Sequence, residues 1–220
     1  MRLPNIALLT GVLVLLAACC TPNLASGASL SGKQDLKQRQ STARQASAVW
    51  EKQSASWKKK LDDTQQAQMT LLVAMAANHH ETRQMLTIMD GSHKSCAKAN
   101  PQLAKGMNAA WKGWDQGTKK ALSDSETRLD VVLDHQTAGP RKEVVKYLQT
   151  YRRAAESRAG LVQMIPVTSE RDCMKLQRTL GDGGEKIGNK LTISTRAIEE
   201  ALKDILSGKT TFKQPTGGND

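Results

Sequence analysis

Aromatic side chains are scarce: one Phe, two Tyr and four Trp make up 3% of the 220 residues. Sheets recruit aromatic and β-branched residues, so this shortage, beside eight Met and many Ala, Gln and Lys, argues for an all-α chain. Long apolar runs are missing as well. The one candidate, Ile6 to Leu16, is too short to span a bilayer comfortably, and no later run is longer. Neither Gly nor Pro occurs between residues 33 and 90, so nothing there forces a helix to stop.

Chemistry-bearing motifs are equally sparse. No Ser, His and Asp arrangement stands out, and carboxylates such as Asp62, Asp63, Asp124 and Glu126 sit where helix caps and solvated faces place them. The sequence therefore gives acid/base or nucleophilic catalysis no foothold, and an enzyme is not expected. His79 and His80, followed by Glu81, invite a metal-binding reading, with His93 and Cys96 at i and i+3 nearby. Adjacent histidines diverge on a helix and the i, i+4 ligand spacing is absent, so no metal or other cofactor is expected. Residues 181 to 188, GDGGEKIG, have the glycine count of a phosphate loop. They follow a helical pattern rather than a strand and lack the Lys-Ser/Thr ending, which makes a turn or helix kink the expectation.

What is present begins at the N-terminus. Met1 and Arg2 precede the short apolar stretch, the layout of a targeting segment. It ends in Leu16-Ala17-Ala18-Cys19, followed by Cys20. This resembles the lipobox of bacterial lipoproteins: aliphatic, two small residues, then cysteine. The resemblance covers the first tenth of the chain. It implies lipidation of the Cys19 sulfur, removal of residues 1–18, and a protein anchored to the membrane rather than spanning it. In a Gram-negative cell, Cys20 in the sorting position implies the outer membrane, facing the periplasm. In a Gram-positive cell the same signal implies the outer face of the single membrane. Cys20 itself is then an idle thiol, a link between two lipoproteins or a modification site, the first being simplest.

Residues 19–32, rich in Pro, Gly, Ser and Ala, read as a flexible tether. A helical bundle domain is expected over 33–208, with a frayed polar tail at 209–220. From Leu36 to Met89 apolar positions recur at helical spacing, Gln65 being an exception, and KKKLDD at 58–63 suits the end of one helix and the start of another. Two helices, or one bent near Leu61, are preferred to a straight rod. A turn is expected at Gly91, and a second pattern runs from Leu103 to Leu133, stopped by Gly139-Pro140. A third runs from Val144 to Ile165, stopped by Pro166. The last carries Cys173 to Ile205, with Ser169 as its N-cap.

Short connections between long helices predict an up-and-down bundle. Placing Cys96 just after a Gly91 turn and Cys173 just after the Pro166 turn makes each open a helix of the same direction. Both then fall at one end of the bundle, where a disulfide is reasonable in an exported protein.

Without Arg2, 31 Lys and Arg face 21 Asp and Glu, a net of +10. Residues 33–60 carry +6 and residues 141–160 carry +4, whereas 61–140 and 161–220 come to −1 and +1. Together these features read as a lipid-anchored envelope protein that works by binding, a scaffold or interaction module. Its expected surface is Lys58, Lys59 and Lys60, with Trp50 and Trp57 at i, i+7 as aromatic contacts, and its expected partner an envelope protein or anionic envelope polymer. Solvation of exposed helix faces explains the charge equally well, and nucleic acid is not expected, since no binding motif accompanies it. Trp111 and Trp114 are read as core. Two further readings are a pilotin-like accessory lipoprotein of a secretion or conjugation machine, which the chain resembles in architecture, and an envelope metal-binding protein centred on His79 and His80.

Overall fold

The computed structural model describes residues 30–161 and 166–209. Cys19, Cys20, the signal segment, most of the tether, Val162, Ile165 and nearly all of the tail therefore lie outside the described residues. Contacts divide the chain into two units, 1–38 and 39–220, and the packing below is that of the second.

Among the described residues five α-helices follow one another: α1 (Leu30–Lys58), α2 (Asp63–Ala99), α3 (Ala104–His135), α4 (Arg141–Ala159) and α5 (Glu170–Leu206). Among the described residues there is no strand. The chain reverses at each connection, which makes the expected up-and-down bundle. No helix is long and apolar enough to cross a membrane among the described residues.

The KKKLDD junction behaves as its charges suggest. Lys58 ends α1 at the negative pole of its dipole, and Asp62 caps α2. The Asp62 carboxylate accepts from the Gln65 amide N–H at 2.8 Å while the Gln65 side chain accepts from the Asp62 N–H at 3.1 Å, a complete capping box. Gln65 also donates from Nε2 to the Thr137 carbonyl at 2.9 Å. One turn on, the fully buried Gln68 exchanges hydrogen bonds with the backbone N–H and hydroxyl of Thr137. The apparent lapse in the apolar pattern is thus the clamp that holds the α3–α4 loop on α2. At the other end, α1 starts at Leu30 and takes in the last three residues of the expected tether.

Two expected breaks are absent. α2 passes through Gly91 without interruption and stops at Asn100, where Pro101 opens a single 3₁₀ turn, Pro101–Leu103. An isolated glycine costs a helix about 1 kcal/mol, which packing readily offsets, whereas proline removes a hydrogen-bond donor and clashes with the preceding turn. α5 likewise runs straight through GDGGEKIG. Of its glycines Gly188 serves packing, for a Cβ there would lie 3.3 Å from the Gly117 carbonyl oxygen and 3.5 Å from the Ala121 Cβ of α3. The missing side chain brings the two backbones close, and α3 with α5 forms the most extensive helix pair. α5 ends in a Schellman motif: Gly208 adopts φ 68°, Lys209 N–H donates to the Asp204 carbonyl at 3.0 Å, and Gly208 N–H donates to that of Ile205 at 3.1 Å. Ser169 caps its start, as expected, accepting from Asp172 N–H at 3.2 Å.

The core has two main parts. One, at the end where α2 starts, gathers Leu72, Met75, Leu133, Val144, Leu148, Ile198 and Leu202 from four helices. The other, at the end where α2 stops, packs Met107, Trp114 and Leu180 around a Cys96–Cys173 disulfide with a Cα separation of 5.5 Å. The bond is the expected one, by a different threading. Cys96 closes α2 and Cys173 opens α5, so the helices it joins are antiparallel and meet at the same end. Asn100 seals this end, its buried amide donating to the Thr168 carbonyl at 2.9 Å.

Candidate functional site

The part of α1 from Arg39 onward is a polar helix with little apolar surface to offer, and Trp50 and Trp57 supply most of it. Seven residues apart, they share one face. α4 answers with Tyr147 and Tyr151, four residues apart. Trp50 lies 4.6 Å from Tyr147 and 5.1 Å from Tyr151 between ring centroids, and Trp57 lies 5.3 Å from Tyr147. None of these pairs is stacked face to face, an arrangement that ring quadrupoles disfavour, and such tilted and edge-on contacts add roughly 0.5–1.5 kcal/mol each. Tyr147 also donates to Ser54 Oγ at 3.3 Å. Burial pushes both phenols above their ordinary range, so they stay neutral. Gly139 of the α3–α4 connection packs on Trp57, where an added Cβ would stand 3.2 Å from the indole edge and push it by a few tenths of an ångström.

This aromatic seam joins the two basic stretches of the sequence. Between residues 39 and 60 six cations face Glu51 alone, a net of +5, and α4 with Gly160 adds six against Glu143 and Glu156, a net of +4. Residues 39–60 and 141–160 thus hold +9 of the chain's +11. Trp50 and Trp57 are half-buried, their inner faces taken up by the seam. An open groove of about 280 Å³ runs beside them, lined also by Leu61, Met69, Val73 and Tyr147, with Lys58 and Asp63 at its edge. Lys58, Lys59 and Lys60 are exposed at the C-terminal end of α1. From Arg39 to Lys58 the helix rises about 29 Å, which puts these lysines at the end of α1 away from Arg39.

The outer face of α4 escaped notice in the sequence. Val144, Tyr147, Leu148 and Ala154 are buried. Opposite them Lys142, Lys146 and Arg153 form an exposed file, with Gln149 on the same line. An open hollow of about 660 Å³ lies along it. Two other cations of this helix are paired: Arg141 with Asp130 and Asp134 at 3.0 and 2.7 Å, and Arg152 with Glu156 at 2.7 Å. Lys142, Lys146 and Arg153 have no carboxylate partner among the described residues. The signal was legible as cations at i, i+4 and i+11 on the face away from the apolar stripe.

His79 and His80 are not brought together. His79 lies within electrostatic reach of Glu126 of α3 and His80 within reach of Glu156 of α4, and both are near Arg152, while His80 contacts Gln84 at 2.6 Å. Burial lowers both imidazoles below their ordinary value, which favours the neutral form, and burial raises the neighbouring Glu81. Among the described residues no three His, Cys, Asp or Glu side chains lie close enough to hold a metal ion. His93 accounts for itself differently, stacking on Trp111 at 5.2 Å and bonding Asn108 at 2.7 Å. Trp114 is core, 1% exposed, and Trp111 stacks on it.

No protein family, characterised protein or solved structure matches this chain.

Proposed function

We propose that this is a lipid-anchored protein of the cell envelope, held at the membrane through Cys19, that acts by binding an anionic partner through its α1–α4 wall. The observation that carries the reading is that most of the net positive charge, +9 of +11, falls on residues 39–60 and 141–160, whose helices are joined by Trp50, Trp57, Tyr147 and Tyr151. A fold that only needed solubility has no reason to gather both basic stretches on one side, since like charges placed together repel. Lys58, Lys59 and Lys60 extend the wall at the end where α1 meets α2, and the groove beside Trp57 offers an apolar contact next to them. An exported setting also suits the disulfide. In a Gram-negative cell the anchor places the wall in the periplasm, at the outer membrane.

Two measurements test this. Mass spectrometry of the mature N-terminus should find Cys19 acylated in the native protein and in Cys20→Ala, and an uncleaved, unacylated precursor in Cys19→Ala. An unmodified Cys19 in the native protein refutes the anchor. Replacing Lys58, Lys59 and Lys60 together by Glu should sharply weaken binding to anionic probes, and wild-type binding should fall with salt, which screens over about 8–10 Å in the physiological range. Equal binding by wild type and variant at low and high salt refutes the basic wall as a working surface.

A further inference from the structure

We infer that the partner of the wall is a linear polyanion, a polymer carrying phosphate or carboxylate groups along its length, which lies along the outer face of α4 on Lys142, Lys146 and Arg153. The inference rests on the reading above and narrows it. Three observations point this way.

The cations are in single file. Lys142 and Lys146 are one turn apart, about 6 Å along the axis, and Arg153 lies about 10 Å further on, so the file spans about 16 Å. Gln149 stands between the last two with a neutral amide that donates to an oxygen without adding charge. A row of this kind fits a chain of recurring anions better than a single ion, which needs donors converging on one point.

The cations are also unspent. Arg141 and Arg152, on the flanks of the same helix, already hold carboxylates, and Glu156 is taken by Arg152. The three cations of the file have no acidic partner among the described residues, nor has Arg158 further along the helix, and the charge of the file is therefore available to an external anion.

The face carries no large exposed apolar side chain, the one apolar residue lining the hollow, Val145, being half-buried. The large exposed hydrophobic side chains of the described residues include Val49, Ile88, Val131 and Ile193, and none is on α4. Helices that lie on a bilayer set an apolar face into it beside their cations. α4 instead turns its apolar face to the protein core and its cations outward, which suits a polymer in solution rather than a lipid surface.

Full-length protein should be titrated with labelled long-chain inorganic polyphosphate and, separately, labelled polygalacturonate, with orthophosphate and phosphatidylglycerol vesicles as comparators. The variant Lys142→Gln, Lys146→Gln, Arg153→Gln should weaken polymer binding by about tenfold or more and flatten its dependence on salt, as fewer counterions are released. The matched variant Lys105→Gln, Lys112→Gln, Lys120→Gln, equal in charge but on α3, should stay within about twofold of wild type. Orthophosphate at the same phosphate concentration should not compete. Binding of polyphosphate alone assigns a phosphate polymer, and binding of polygalacturonate alone a carboxylate one. Helix content should be unchanged, since Lys, Arg and Gln are similar helix formers. Equal losses in the two triple variants overturn the inference by reducing it to net charge. So does vesicle binding that matches polymer binding and is lost with the α4 file. If the α4 variant binds as wild type while the Lys58, Lys59, Lys60 to Glu variant does not, this inference falls and the basic wall stands. If no variant changes binding to any anionic probe, both fall.

Discussion

Breaking the Cys96–Cys173 bond is the perturbation with the most calculable consequence. The bond closes a loop over a sequence separation of 77 and joins the last turn of α2 to the first turn of α5. In the unfolded chain a loop of that size loses about 15 cal/mol/K of entropy, which corresponds to about 4.5 kcal/mol at room temperature. Both cysteines are buried and their Cα atoms are 5.5 Å apart, well inside the range the bond accepts, so the folded state offers little to offset that figure. Total stability of such a domain is about 5–15 kcal/mol, so the bond is a large share of it. Urea unfolding of oxidised and reduced protein measures this with no atoms removed. With a slope of about 2 kcal/mol per molar urea, the midpoint should fall by about 2 M on reduction, and Cys96→Ala with Cys173→Ala should reproduce the shift. Midpoints that agree within about 0.5 M would refute the reasoning, because they would mean that the two helix ends are held together in the unfolded chain too, or are not joined at all.

Glycines within helices should sort by what a Cβ would meet. Gly113→Ala and Gly181→Ala, where nothing lies within 4 Å, should each stabilise by about 0.5–1 kcal/mol, whereas Gly188→Val should destabilise by driving α5 off the Gly117 carbonyl. Thermal melts decide, and a destabilised Gly181→Ala would show that α5 does bend there. Stability should also decline as pH falls from 6.5. His79 and His80 have folded pKa values below their ordinary 6.5, so the unfolded state takes protons first, and the stability tied to their neutral forms is lost as pH drops through that window. Glu81 acts with the opposite sign, because its raised pKa keeps the folded state protonated above 4.5, and the stability this confers is lost as pH rises through the folded value. His79→Gln with His80→Gln should therefore flatten the decline below pH 6.5 in urea midpoints, and an unchanged slope would mean the two imidazoles are not desolvated.

Local signals were read correctly where they act within one or two turns of chain. The break at 58–63, the N-cap at Ser169, the stop at Gly139-Pro140 and the helical class itself follow from capping, dipole and propensity, each of which is written in neighbouring residues. Gly91 and GDGGEKIG were misread for the same reason. A glycine is a weak local signal, and whether it ends a helix depends on what packs against it; α3 lies close against Gly188, and that contact is invisible from position 188 alone. Gln65 looked like a flaw in an apolar stripe until Thr137, some seventy residues away, supplied its partner, as it does for the buried Gln68.

The same division holds for the candidate site. The charge excess, its two basic stretches and the Trp50–Trp57 spacing are properties of the chain, determined by its sequence whatever the fold. That the stretches form one wall, that the indoles are held on Tyr147 and Tyr151, and that Lys142, Lys146 and Arg153 face outward without acids are properties of the packing. Charge adds along a sequence, but a binding surface depends on distance, and α1 and α4 are separated by eighty residues before the bundle folds them together.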